Sequence, residues 1–194
     1  MARNYFEYEK FENISIEHST LYNCEFIDCE FQGCTISEST ISGCIFSECR
    51  FTDCTIMAVK TEHTEVKYAE FTDCVLLGVN WALLLPDGWF ASPISRLTNC
   101  KLKYNHFMNI SFKKFDFSGS DLPGSIFADC SLAECSFNGC NLNGTEFYKC
   151  DLRKSDFRRA TGYQVDILSC KLKGARFSMI EAVNLLRALE IKLE

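Results

Sequence analysis

The chain has 194 residues, 47% of them hydrophobic and 24% charged, with a formal net charge of −6. This composition is that of a folded domain and excludes an intrinsically disordered chain. Its apolar runs are too short to span a bilayer, and residues 1–20 lack the apolar segment of a signal peptide. We therefore expect a soluble, cytoplasmic protein that makes no contact with a membrane.

An apolar residue recurs at every fifth position along almost the whole chain. The ladder runs from Phe6 to Trp81, where Thr61 is the one polar exception, and after a phase shift from Leu97 to Phe177, where only Gly162 departs. All 13 cysteines lie two positions before a ladder residue. A period of five fits neither an α-helix nor a flat β-strand, so the sequence predicts a tightly wound repeat.

Residues twenty positions apart form columns of similar side chains, for example Phe11, Phe31, Phe51 and Phe71. Four pentads per coil, with coils spaced like paired strands, would place such residues directly above one another. Stacking of this kind fills the narrow interior of a parallel β-helix. The sequence therefore predicts an all-β solenoid with about 20 residues per coil.

The repeat is interrupted once and ends before the C-terminus. We predict a first β-helix arm over residues 1–81 and an interrupting loop over 82–96, which contains the turn signal Pro86-Asp87-Gly88. A second arm spans residues 97–177, and a capping or dimerisation α-helix with its tail spans 178–194. Ser178 and Glu181 fit a capping box at the start of that helix.

The apolar residues of the C-terminal segment form a stripe. The stripe covers the open end of the last coil, joins two copies of the chain in a homodimer, or does both. The candidate cap and dimer residues are Met179, Ala182, Leu185, Leu186, Leu189, Ile191 and Leu193.

The pattern resembles the pentapeptide-repeat family, whose repeat is loosely A(D/N)LXX. Ser120-Asp121-Leu122, Cys140-Asn141-Leu142 and Cys150-Asp151-Leu152 carry the likeness. The resemblance covers nearly the whole chain and implies a right-handed quadrilateral parallel β-helix.

Three features resemble one branch of that family, the quinolone-resistance and microcin-immunity proteins. They are the frame-breaking loop, the FSGSDL stretch from Phe117 to Leu122, and the leucines of the C-terminal segment. Proteins of this branch bind DNA gyrase or topoisomerase IV as DNA mimics and relieve inhibition by quinolones or peptide toxins. The resemblance implies such a partner here, a homodimer, and no direct contact with nucleic acid.

The residues show no catalytic pattern. No CxxC pair with zinc-site spacing occurs, and the cysteine position is filled by other small residues elsewhere, so we interpret the thiols as packing groups. An interior filled by Phe and Leu is also expected to leave no substrate pocket. We therefore expect no enzyme, no cofactor and no metal.

Charge is distributed unevenly along the chain. Residues 1–97 contain 15 acidic and 6 basic residues, hence −9, whereas residues 98–194 contain 11 and 14, hence +3. In the second half, one predicted column is basic. The column through Phe6, Phe26 and Phe46 is acidic, and its candidate partner-binding residues are Glu7, Glu25, Asp28, Glu48 and Glu65.

Three interpretations of the surface stay open. The acidic column mimics DNA toward a topoisomerase, or it is an ordinary solvated surface. Alternatively, the protein is an interaction module that docks another cytoplasmic protein through Trp89 and Phe90 of the loop, unless those two rings pack back onto the arms.

Overall fold

The computed structural model describes residues 3–85 and 92–189. By its internal contacts the chain divides into two compact units, Met1–Leu102 (unit 1) and Lys103–Glu194 (unit 2). Each unit is a coil of short parallel strands. The predicted division into segments 1–81, 82–96, 97–177 and 178–194 stays a prediction.

Unit 1 is a four-sided β-helix in which each side is a parallel sheet. Neighbouring strands of one side are four apart in sequence order, except β14 and β16, which are two apart. The sheets read β1-β5-β9-β13, β2-β6-β10-β14-β16, β3-β7-β11-β15 and β4-β8-β12. A 3₁₀ helix, η1, at Trp81–Leu84 follows β15. The strands are β1 Asn4–Glu7, β2 Lys10–Glu12, β3 Ser15–Glu17, β4 Thr20–Tyr22, β5 Cys24–Ile27, β6 Glu30–Gln32, β7 Thr35–Ser37, β8 Thr40–Ser42, β9 Ile45–Ser47, β10 Arg50–Thr52, β11 Thr55–Met57, β12 Lys60–Glu62, β13 Glu65–Lys67, β14 Ala69–Thr72, β15 Val75–Leu77 and β16 Ile94–Thr98.

The apolar ladder of the sequence becomes the core of unit 1. Phe11, Phe31, Phe51 and Phe71 occupy equivalent positions in successive coils, and neighbouring rings stack with centroids 4.7 to 4.9 Å apart. Rings on adjacent sides meet edge to face, as Phe26 and Phe31 do at 5.4 Å. The predicted coil of about twenty residues is therefore confirmed.

The coil turns at residues with left-handed backbone conformation. These lie two positions after each ladder residue, and most of them in unit 1 are not glycine, for example Asp28 with φ 50° and Glu48 with φ 55°. Such a φ is disfavoured for residues with a side chain. The backbone N–H of each corner residue donates a hydrogen bond to a carbonyl of the next coil. Asp28 donates to the Ser47 carbonyl at 3.0 Å, and Glu48 to the Lys67 carbonyl at 2.8 Å.

Unit 2 repeats the plan with more turn and less strand. One sheet contains β17 His106–Met108, β18 Ile126–Ala128, β19 Glu146–Tyr148 and β21 Gln164–Val165, and a second pairs β20 Asp156–Phe157 with β22 Arg176–Phe177. Other coils are joined by single parallel bridges such as Ser111 to Ser131. Two columns of fully buried phenylalanines fill its interior, and Phe137 stacks at 4.8 Å on both Phe117 and Phe157. The predicted fold class, a quadrilateral parallel β-helix, is confirmed.

The C-terminal segment differs from its prediction in detail. It is a 3₁₀ helix, η2 at Glu181–Leu189, rather than an α-helix beginning near Ser178. The capping box does not form. Ser178 Oγ instead accepts a hydrogen bond from the Arg159 N–H at 2.8 Å, and Glu181 Oε2 accepts one from the Gly162 N–H at 3.0 Å. The Ser178 and Glu181 side chains therefore accept hydrogen bonds from the preceding coil and do not cap the helix. Within the described residues, no helix is long and apolar enough to cross a bilayer.

The stacked rings should carry much of the stability. We expect Phe137→Ala, which removes a ring stacked on both sides, to lower the free energy of unfolding by about 3–5 kcal/mol in urea denaturation. Phe6→Ala is the matched control, because Phe6 is half-buried and stacks within its column only on Phe26. Equal losses for the two variants would contradict a core stabilised by continuous stacking.

Candidate functional site

One corner of unit 1 carries two carboxylates between two exposed tyrosines. Tyr8, Asp28, Glu48 and Tyr68 occupy the same left-handed corner in four successive coils, with φ between 50° and 57°. We call this column the acidic corner. Tyr8 is 73% and Tyr68 46% exposed, Glu48 is exposed, and Asp28 is half-buried. The corner places a polar or aromatic group at each coil in a fixed backbone frame.

The other three predicted acidic residues lie beside this corner on strands β1, β5 and β13, and each has a partner. Glu25 forms an ion pair with Arg3 at 3.9 Å, and Glu65 forms one with Lys67 at 2.6 Å. Tyr5 donates a hydrogen bond to Glu7, which raises the pKa of Tyr5.

Asp28 and Glu48 form no ion pair with any residue in the described ranges. The predicted acidic column thus reduces to these two carboxylates with paired ones beside them.

The neighbouring side of unit 1 neutralises its own charge. Lys10, Glu30, Arg50, Glu70 and Arg96 stand in one column of alternating sign. Glu30 contacts Lys10 Nζ and Arg50 Nη2, both at 2.7 Å, and these hydrogen bonds lower the pKa of Glu30. A self-paired column offers little net field to a partner, so the acidic corner stands out against it.

The basic column of unit 2 is partly paired as well. Arg153 contacts Asp151 at 2.5 Å, whereas Lys113, Lys114, Lys154 and Lys173 are exposed. On the next side, the hydrogen bond from Arg158 lowers the pKa of Asp156 to about 2, and Arg176 lies 3.2 Å from the same carboxylate. Unit 2 therefore presents a surface of opposite sign to the acidic corner.

The remaining predicted site residues fall in three groups. Trp89, Phe90, Ile191 and Leu193 lie outside the described residues. Ala182, Leu185 and Leu186 of η2 are half-buried.

Met179 is 90% and its neighbour Ile180 87% exposed, and Val183 and Leu189 are exposed too. The C-terminal segment thus leaves an apolar surface uncovered by the described chain. Its role in dimerisation stays a prediction.

The cysteine position is a hydrogen-bonding position, which composition did not reveal. Buried thiols donate to two backbone carbonyls, as Cys54 Sγ does to Thr52 at 3.3 Å and to Phe31 of the preceding coil at 3.4 Å. Thr64 at an equivalent position makes the same pair of bonds, both at 3.0 Å. The signal was present in the sequence, because Ser and Thr share this position with Cys.

The burial of most thiols is that of structural groups. All are free, 12 of the 13 are buried, and burial raises the pKa of Cys49, Cys135 and Cys140 to about 12. A protonated, buried thiol is a weak donor and a poor nucleophile. Over residues 3–85 and 92–189, no group of three or more His, Cys, Asp or Glu side chains is placed to hold a metal ion.

The expectation of an interior without a pocket is wrong for unit 1. A cavity of about 360 Å³ lies inside its last coils, against Ile56, Thr61, Val66 and Trp81. It forms where the inward side chains become smaller. Thr61 is in register with Ile41 of the preceding coil, and Val66 with Phe46.

The raised thiol pKa values predict alkaline destabilisation. Each of these thiols has a folded-state pKa near 12 and an ordinary value of 9.0, so the folded state retains protons that the unfolded state loses. The stabilisation is complete below pH 9 and is lost as the pH rises from 9 to 12. Urea denaturation at several pH values should show this fall. The triple variant C49S/C135S/C140S keeps hydroxyl donors at these positions and should fall less steeply, and an unchanged slope would contradict the assignment.

Comparison with known proteins gives both sequence and structural matches. A trypsin-treated variant of QnrB1, a plasmid-mediated fluoroquinolone resistance protein, is 17% identical, with 100% of this chain and 99% of that one covered and a TM-score of 0.37. HetL, a pentapeptide repeat protein involved in heterocyst differentiation regulation from the cyanobacterium Nostoc sp. strain PCC 7120, is 15% identical, with 90% and 86% covered and a TM-score of 0.37. Rfr23 from the cyanobacterium Cyanothece 51142 is 8% identical, with 89% and 86% covered and a TM-score of 0.17.

No protein of curated function matches the sequence. Family models do match it in both units. The model described as a pentapeptide repeat region matches residues 24–85, and the model of pentapeptide repeats in eight copies matches residues 111–147 and 140–178. Because these matches together cover more than half of the chain, the protein belongs to the pentapeptide-repeat family.

Proposed function

We propose that this protein acts without catalysis, by binding the DNA-binding surface of a type II topoisomerase in place of DNA. Its partner is DNA gyrase or topoisomerase IV, and binding relieves inhibition by quinolones or peptide toxins. The observation that supports this proposal is the acidic corner, in which unpaired carboxylates repeat in register on a fixed backbone.

The spacing of the corner is of the right order for a mimic of one DNA strand. Successive coils of paired strands are about 4.8 Å apart, and a DNA strand carries one phosphate per about 3.4 Å of helix axis. Because each corner residue is held by a backbone hydrogen bond to the next coil, the backbone that carries the carboxylates loses little conformational freedom on binding.

The two tyrosines of the acidic corner supply aromatic rings, which a DNA phosphate does not have. Tyr8 and Tyr68 bracket the two carboxylates and are exposed. A DNA-binding surface is rich in Arg and Lys, and arginine stacks on tyrosine rings. Tyrosine is also among the residues that dominate protein interfaces. The corner therefore suits a partner whose arginines both pair with carboxylates and stack on rings.

A second candidate is a protein-docking module with no role at a topoisomerase. The alternating column from Lys10 to Arg96 and the basic column of unit 2 favour it, because neither resembles the continuous negative charge of DNA. In this case the same corner would recognise a different basic protein.

Charge reversal at the corner separates specific from general charge effects. We expect the protein to protect gyrase supercoiling against a quinolone, and Glu48→Lys to need at least a tenfold higher protein concentration for the same protection. Glu134→Lys is the matched control, because Glu134 is an exposed left-handed corner residue of unit 2 with φ 63°. It makes the same change of net charge and should protect like the wild type.

The outcomes distinguish the two candidates. Absence of gyrase and topoisomerase IV binding by the wild-type protein would reject the topoisomerase proposal and leave the docking module. Equal loss of protection in both variants would mean that net charge, rather than the acidic corner, determines binding.

We further propose that the C-terminal segment joins two copies of the chain. The exposed apolar side chains of Met179, Ile180 and Val183 support a two-fold contact at this end. Light scattering should report a dimer for the wild type and a monomer for Ile180→Glu. Leu168→Glu changes an exposed apolar residue elsewhere on unit 2 and should leave the mass unchanged. A monomeric wild type would rule out this interface.

A further inference from the structure

The cavity inside unit 1 has the size of a ligand site. Its volume of about 360 Å³ is a little over twice that of an engineered apolar cavity of about 150 Å³ that binds benzene. It also falls at the lower end of the range of small-molecule pockets. The space is therefore sufficient for roughly two fused rings.

The cavity arises from a local break in the repeat. In the columns below it the inward residues are large, Leu21 and Ile41 on one side and Phe26 and Phe46 on another. At the next coil these columns continue with the smaller Thr61 and Val66. Above Thr61, η1 takes the place of the strand that the fourth side would have contributed, and its buried Trp81 and Leu84 line the cavity.

The walls are mostly apolar, with aliphatic side chains and four aromatic rings. Phe46, Phe51, Phe71 and Trp81 contribute rings, and the Trp81 ring meets Phe71 edge to face at 5.7 Å. Rings arranged in this way favour an aromatic guest, which can stack or meet them edge to face. The cavity reaches the surface beside exposed residues of its lining, among them Lys60 and Leu83.

Two hydroxyls line the cavity, and they differ in availability. The Thr64 hydroxyl binds the Ile41 and Glu62 carbonyls, both at 3.0 Å. Thr61 makes no side-chain hydrogen bond to another residue in the described ranges, although it occupies an inward position on β12. A hydroxyl at such a site gains a partner if the guest carries one polar hydrogen or lone pair.

We propose that unit 1 contains a binding site for a small bicyclic aromatic molecule with one hydrogen-bonding group, held among the four rings and against Thr61. The site is separate from the acidic corner and does not depend on the proposed topoisomerase partner. It uses the interior of the coil, whereas the corner uses its outside.

Indole is a suitable probe, since it has two fused rings and one N–H. With the full-length protein, saturation-transfer NMR and isothermal titration calorimetry should detect binding at one site. Thr61→Ile restores the residue type of the column below and fills the cavity. It should weaken indole binding at least tenfold and raise the melting temperature. Thr20→Ile makes the same change at an exposed outward position of β4, in the same sheet, and should change neither.

Further variants keep the test decisive. If Thr61→Ile does not fold by circular dichroism, Val66→Phe fills the same cavity from another side. No indole binding by the wild type in either method would overturn the proposal, and so would wild-type affinity in a folded, cavity-filled variant. Binding that appears only in the double variant W89A/F90A would also overturn it, because the chain's own aromatic side chains would then occupy the cavity.

Discussion

The structure depends on in-register stacking of residues twenty apart. Inside, this stacking puts Phe on Phe at 4.5 to 5.2 Å, and between coils it pairs many backbone N–H groups with carbonyls of the neighbouring coil. The same residues must meet both requirements, side-chain stacking and backbone hydrogen bonding. The size of one inward side chain therefore limits the size of the side chains stacked above and below it. The position two residues before each ladder residue, where the cysteines lie, adds a third requirement, namely a hydrogen-bond donor. Cys, Ser and Thr there donate a hydrogen to backbone carbonyls, which gives the buried thiols a structural role.

The same register governs the outside, where it turns single charges into columns. A column of alternating sign, such as that of Lys10, Glu30 and Arg50, gains from its neighbours, and a column of like sign is destabilised by them. Asp28 and Glu48 are adjacent like charges, and neither has an ion-pair partner among residues 3–85 and 92–189. Unit 1 thus neutralises one column with residues of alternating sign, but the acidic corner has no basic residue. The corner therefore leaves two carboxylates with which a basic partner would pair on binding.

Much of the fold was predictable because a column repeats its signal in every coil. The period, the coil of about twenty residues and the inward place of every cysteine follow from the sequence alone. Local motifs predicted less well. Ser178 and Glu181 fit a capping box, but the Arg159 and Gly162 N–H groups of the preceding coil compete for these side chains and bind them. The tyrosines of the acidic corner carried a readable signal, since Tyr8 and Tyr68 are three coils apart. The ion pairs that mask Glu25 and Glu65 depend on side-chain geometry that spacing does not determine.

The departures from the repeat are more informative about function than the repeat itself. An unbroken ladder specifies only the stacked columns of the coil. Thr61 interrupts the ladder and borders a cavity. Gly162 interrupts it in unit 2, where the following Tyr163 is fully buried against Phe157 and Phe177, with a hydroxyl that has no partner in the described part of the chain. Local inconsistency of this kind reduces stability, and in natural proteins it concentrates where a site requires it. The two breaks differ in kind. Thr61 lines a cavity, whereas beside Gly162 the Tyr163 ring occupies the interior itself. Space rather than polarity therefore distinguishes a ligand site from a packing defect in this solenoid.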